Sequence, residues 1–118
     1  MEELASVPLI GLDGPAPRSW HERVAPSATP SGRMIPQAGK VATTQEGLTQ
    51  VALDRGGMLF CTPTAAQHHR PDISFVPVSG LPASIFGLAW VKAEETAAIR
   101  AFSAAAAGFA LGAEALVA

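Results

Sequence analysis

The sequence predicts an α/β fold in which about five strands form a largely parallel sheet with helices on both faces. Three observations lead there. Short apolar runs, several rich in β-branched and aromatic residues, recur along the chain between turn-forming clusters, the pattern of buried strands. Segments with apolar residues three and four apart lie between the first of these runs, as helices covering a sheet require. Hydrophobic residues make up 48% of the 118 positions against 15% charged, so a packed core is expected rather than disorder. A chain of this length is read as a single domain, residues 1–118.

Taken in order, "VPLIGL" (7–12) is the first strand, stopped by the turn residues "DGPAP". After Pro17, "RSWHERV" reads as a short helix, because proline suits a first helical turn and Trp20 and Val24 share a face. Pro26, Pro30 and Pro36 make the next stretch a loop. Val41 and Ala42 end a second strand. Thr43 and Glu46 then form a Thr-x-x-Glu capping box, in which each side chain satisfies a free backbone N–H of the other. Leu48, Val51 and Ala52 give that helix its apolar face, and Gly56 is expected in the left-handed position that ends it. "MLFCT" (58–62) is the third strand, followed by a turn or short helix through "PTAAQHH". "DISFVPV" (72–78) and "SIFGLAWV" (84–91) read as the fourth and fifth strands. In the last helix, Glu94 and Glu95 favour the positive end of the helix dipole, and Ile99, Phe102, Ala106 and Phe109 form one stripe. The order is β-α-β-α-β-β-β-α.

Composition excludes several functions. The net charge is −2 and the basic residues are scattered singly, whereas phosphate-backbone binding needs clustered positive charge. No direct nucleic-acid binding by this chain is expected. The one cysteine, Cys61, rules out an internal disulfide and fits a reducing cytoplasm. The acidic start "MEEL" lacks the basic region of a signal peptide. The uncharged run at 101–113 is shorter than the ~20 residues a membrane span needs. A cytoplasmic protein with no membrane contact is expected.

No catalytic constellation emerges, so the chain is read as a non-enzyme without metal or cofactor. His68 and His69 are adjacent and point apart in an extended chain, with no spaced set of ligands to complete a metal site. Cys61 with His68 as base is conceivable chemistry, but a small apolar residue ending a buried strand is the commoner role. "GLDG" lacks both the GxxxxGK[ST] and GxGxxG patterns. Trp20 and Trp90 are assigned to apolar faces of the core.

In parallel sheets ligands bind beyond the carboxyl ends of the strands. That rule singles out "DGPAPRSW", "TTQEG" and "CTPT", loops whose hydroxyls and helix N-termini suit a small anion or carboxylate. Thr43 has a capping role. The hydroxyls of Thr44, Thr62 and Thr64 fit either a ligand or local turn hydrogen bonds.

The order and spacing of "TTQEGLTQVALDRGGMLFCTP" and "RPDISFVPVSGLPASIFGLAW…AIRAF" resemble the C-terminal part of the effector-binding domain of LysR-type transcriptional regulators, over about residues 4–102. The resemblance implies a three-layer, Rossmann-like half of a type 2 periplasmic-binding-protein-like domain. Residues 84–118 would be the strand crossing back to the first subdomain and the helix returning to it. It also implies that the DNA-reading winged helix-turn-helix, its linker helix and the first subdomain lie outside this truncated sequence, and with them half of the effector cleft.

The function implied is small-molecule effector sensing in transcription regulation, with a small organic acid held by Ser19, Trp20, Thr43, Thr44, Thr62 and Pro63. The alternative is a standalone half-domain acting by association with itself or with an intact regulator. Without a cover from the first subdomain, the crossing strand and Phe102 and Phe109 would be left open, so a homodimer or aggregation through residues 85–110 is expected.

Overall fold

A computed structural model describes residues 1–83 and 87–110, with side chains as far as 108. The chain divides into two compact units, the described parts of which are Met1–Leu81 and residues 82–83 and 87–110.

The first unit is built on a parallel strand pair, β1 (Leu9–Leu12) and β2 (Gln37–Val41). Leu9 pairs with Gln37 and Leu12 with Val41, and one extra residue in β2 shifts the register between them, which is a β-bulge. Leu9, Ile10 and Gly11 are buried, whereas in β2 only Val41 is. Thus β1 is an interior strand and β2 an edge. The other side of β1 is also occupied: Gly57 forms a parallel bridge to Leu9, donating its N–H to Pro8 O (2.8 Å) and accepting from Ile10 N–H (2.9 Å). Among the described residues the order is β2, β1, then the Gly57 segment.

Between β1 and β2 runs α1 (Arg18–Val24), with Pro17 as N-cap and an Arg18–Glu22 ion pair one turn apart. Between β2 and Gly57 runs α2 (Thr44–Ala52), which packs on both strands. The capping box forms with a change of partner. Thr43 Oγ1 accepts from Glu46 N–H (3.1 Å), while the Glu46 carboxylate reaches back to Ala42 N–H (2.9 Å) instead of that of Thr43. At the other end the expected stop at Gly56 is corrected. The helix closes at Leu53, Asp54 takes the left-handed conformation (φ 58°), and Asp54 N–H and Arg55 N–H return to Val51 O and Gln50 O. These two bonds define a Schellman ending. Aspartate tolerates this conformation better than most side chains, so the helix needs no glycine there. Gly56 serves a different purpose: a Cβ on it would stand 2.6 Å from Pro8 O, so its bareness lets the third segment approach β1.

Two apolar clusters form the core of this unit. Leu4, Leu9 and Ile35 make one; Leu48, Phe60 and Ala65 make the other. Ile73 and Phe75 pack on the second cluster and Val78 on the first, while Ser74 and Val76 face out. Residues 73–76 alternate inward and outward, Pro77 and Val78 break the period, and no strand forms where one was expected over 72–78. Of the third expected strand (58–62), the described residues show only a bridge position at Cys61, with Gly57 bridged just before it and α3 (Thr62–Ala66) just after. Of the fifth, residues 84–86 lie outside the described residues, and 87–91 belong to no strand. The described residues hold a two-stranded sheet, not the five strands expected. Apolar alternation sets which side chains face the core, but a strand also needs a neighbour's backbone.

In the second unit, a turn of 3-10 helix (Lys92–Glu94) precedes α4 (Ala97–Ala110). Thr96 Oγ1 caps α4 by accepting from Ile99 N–H (3.2 Å). Glu94 and Glu95 precede the helix and do not supply its first turn. Glu95 instead ties two side chains together, accepting from Trp90 Nε1–H (3.1 Å) and from Arg100 Nη1 (3.2 Å). The expected apolar stripe is corrected as well. Ile99, Ser103 and Ala106 are half-buried, whereas Phe102 is 65% exposed. The Phe109 side chain lies outside the described residues. Trp20 and Trp90, expected in the core, are 39% and 40% exposed.

Candidate functional site

The carboxyl ends of the three parallel segments open into three loops, each leading into a helix. From β1 the chain passes Asp13, whose N–H is held by Val41 O (2.8 Å), and enters α1. His21 Nε2 stands 3.2 Å from Gly14 O and secures the loop to the helix. From β2 the chain passes directly to Thr43 and α2. From the third segment it reaches Cys61, the N-cap residue of α3. Gln45 Nε2 lies 3.5 Å from His68 Nδ1, linking the first turn of α2 to the end of α3.

The six residues expected to hold an effector all lie in these loops or the helix turns that follow. Ser19 and Trp20 are in the first turn of α1, both exposed, with the indole edge-on to the His21 ring at 5.2 Å. Thr43 is exposed and its hydroxyl oxygen is already engaged as the cap of α2; Thr44 is half-buried beside it. Pro63 is exposed on α3. Thr62 differs from the others: its hydroxyl oxygen is shut off from solvent and has no hydrogen-bond partner. An unpaired buried hydroxyl of this kind costs about 1–3 kcal/mol.

Cys61 Sγ pairs with Thr64 Oγ1 (2.9 Å), and the His68 ring lies beside Phe60, at 6.1 Å between centroids, and Gln45. Among the described residues, no group of three or more His, Cys, Asp and Glu side chains is placed to hold a metal ion. Nor is any described helix long and apolar enough to cross a membrane.

A second concavity escaped the sequence reading. A cleft of about 370 Å³ enters the first unit between its opening 3-10 helix (Glu2–Ser6), β1, α2 and the extended stretch 73–79. Leu9, Leu48, Met58, Phe60, Ile73 and Phe75 supply much of its wall. None of the six residues expected to hold an effector lines it. Its walls come from five separate parts of the chain, so no local motif could have signalled it.

Two polar latches hold the rim of this unit. Glu2 accepts from Ser31 through both backbone N–H (3.0 Å) and Oγ (2.5 Å). The Ser31 hydroxyl bond, with help from Thr29 and Arg33, keeps the Glu2 carboxyl below its ordinary range. Arg70 forks onto Asp72 at 3.0 and 2.7 Å, setting the turn that leads into Ile73, and these bonds lower the Asp72 carboxyl in the same way.

Comparison of the chain with protein-family models, curated proteins and solved structures finds no match to any of them.

Proposed function

We propose that this chain is one lobe of a small-molecule-sensing domain of the kind carried by LysR-type transcriptional regulators. It binds an organic acid at its strand-end loops and acts by binding rather than turnover. The observation that supports this reading is the strand order. The chain steps from β1 to β2 on one side, then returns over β1 to place Gly57 on the other side, all parallel. That reversal is a topological switch point, where open α/β sheets bind ligands at the carboxyl ends of the strands. The loops flanking it carry Ser19 and Trp20 on one side and Thr62 and Pro63 on the other. Thr43 and Thr44 follow the neighbouring edge strand.

The same order supports the three-layer form. Right-handed connections stepping in opposite directions lay their helices on opposite faces of the sheet. Residues 57–61, 73–78 and 87–91 then join as strands when the second lobe supplies backbone partners. Signalling follows from population shift, the acid favouring one arrangement of the two lobes. Titrating the ¹⁵N-labelled chain with aliphatic and aromatic carboxylates tests the reading. Saturable amide shifts are expected in residues 13–20 and 61–64. An acid panel that leaves both loops unmoved refutes it.

A second reading rests on the exposure of Leu88, Val91 and Phe102 in the second unit. Several large apolar side chains left open in one short segment favour association with another chain, either a second copy or an intact regulator. Sedimentation of the wild type and Phe102→Glu over a range of concentrations separates the readings. Self-association lost in the variant supports a homodimer through residues 85–110. A wild type monomeric throughout removes it.

A further inference from the structure

We propose that the 370 Å³ cleft of the first unit is a second binding site, for a neutral and largely apolar small molecule: a single ring or short alkyl chain bearing at most a hydroxyl. Its volume lies in the range of small-ligand pockets, about 300–1,000 Å³, which are mostly apolar and carry few polar groups.

The lining sets the ligand's character. Leu9, Leu48, Phe60 and Phe75 give branched and aromatic contact, and Met58 adds a polarisable thioether that adapts to irregular shapes. Polar side chains are sparse: Glu3, Ser74 and Ser79, all exposed. The charges lining the cleft are the Glu3 carboxylate and the Met1 ammonium, and the ammonium already donates to Ser79 O at 2.7 Å. The cleft's lining residues include no Lys, Arg or His side chain to repay the desolvation of an organic anion. A carboxylate, favoured at the strand ends, is disfavoured here.

The geometry also supplies a way in. The stretch 73–79 spans one wall with Ile73 and Phe75 turned inward, yet it lies in no strand. The Arg70–Asp72 fork holds its near end and the Met1–Ser79 bond its far end. A wall pinned at its ends and free of a ladder can move outward without breaking a sheet. The cleft shares no residue with the six at the strand ends, so each site stands or falls alone.

The test uses the whole chain with selectively labelled methyl groups. Benzyl alcohol is the probe, with benzoate as a charged control of the same ring. Benzyl alcohol is expected to shift the methyl signals of Leu48, Val51 and Ile73 saturably, leaving the amides of Thr44 and Thr62 unmoved. Benzoate is expected to bind the cleft at least tenfold more weakly. Two filling variants, Val51→Phe and Val78→Phe in the wall, are expected to abolish the shifts, and either one that retains native dispersion serves. The proposal is overturned if the cleft methyls do not saturate with benzyl alcohol, if benzoate binds there as well, or if the shifts survive in a folded filled variant. Should both variants unfold, displacement of bound benzyl alcohol by cyclohexanol decides: competition supports the cleft and its absence overturns it. Benzoate moving only the strand-end amides would bear on the organic-acid site and not on this one.

Discussion

Gly14 and Gly56 provide a matched pair that measures what the third segment contributes to this fold. Their φ values are nearly identical, 145° and 146°, so alanine at either is strained by a left-handed φ, at about 1–3 kcal/mol. Their surroundings differ. Around Gly14 a new Cβ meets nothing within 4 Å. At Gly56 it would lie 2.6 Å from Pro8 O, 3.2 Å from the Ala38 Cβ and 3.3 Å from Ile10 Cγ1. The first of these is backbone immediately before β1, so relief requires β1 and the third segment to separate. Separation strains the two bonds of the bridge, Gly57 N–H to Pro8 O and Ile10 N–H to Gly57 O, each contributing about 0.5–1.5 kcal/mol. Gly56→Ala is therefore expected to destabilise by about 1–3 kcal/mol more than Gly14→Ala.

Urea unfolding followed by circular dichroism reads the difference. With a slope of about 1–3 kcal/mol per molar, the midpoints should differ by roughly 1 M. Amide exchange supplies the local readout. Ile10 and Gly57 should lose protection in Gly56→Ala, while Leu9 and Asp13, which bond to Pro36 O and Val41 O across the β2 side, keep theirs. Equal midpoints for the two variants, or equal loss of protection on both sides of β1, would refute the placement of the third segment against β1.

Three further outcomes follow from single contacts. Thr43→Ala removes the acceptor for Glu46 N–H and is expected to cost about 1 kcal/mol in the same urea assay, whereas Thr43→Ser should cost little. Thr62→Val replaces an unpartnered hydroxyl with a methyl of similar shape, so stability should hold or rise by up to about 1 kcal/mol; a loss above that would mean the hydroxyl has a partner in solution. The third outcome concerns pH. Glu2 titrates below the ordinary carboxylate range, chiefly through Ser31. Its contribution is complete above the carboxyl's unfolded pKa and is lost as pH falls through the lowered folded value. Glu2→Gln should therefore flatten the acid limb of the stability curve and leave its slope near neutrality unchanged, as melting between pH 2 and 7 would show.

How legible each part was depended on where its hydrogen bonds come from. The bounds of α1 follow from Pro17 and the turn before it, and the start of α2 from Thr43 and Glu46, because a helix draws its bonds from residues four apart. The end of α2 was misplaced for a local reason too: Gly56 is the obvious stop, but Asp54 can adopt the same conformation, and the Gln50 and Val51 carbonyls were in reach. The strand-end loops were located by the order of elements, yet the solvent-shut hydroxyl of Thr62 became visible only once its neighbours were in place. The apolar cleft had no local trace at all.

By itself, then, the sequence determined the starts of α1 and α2, the scattered charge and the alternation of the first two strands with the first two helices. Tertiary structure decided which runs became strands. Residues 73–76 alternate as a strand should, with Ile73 and Phe75 inward and Val76 outward, and still form no ladder. It also decided that Trp20, Trp90 and Phe102 stand partly or largely in solvent. The physical reason is the same in each case. Side-chain periodicity is written along the chain, whereas a strand's partners and a side chain's cover are supplied by residues distant in sequence, and only folding brings those together.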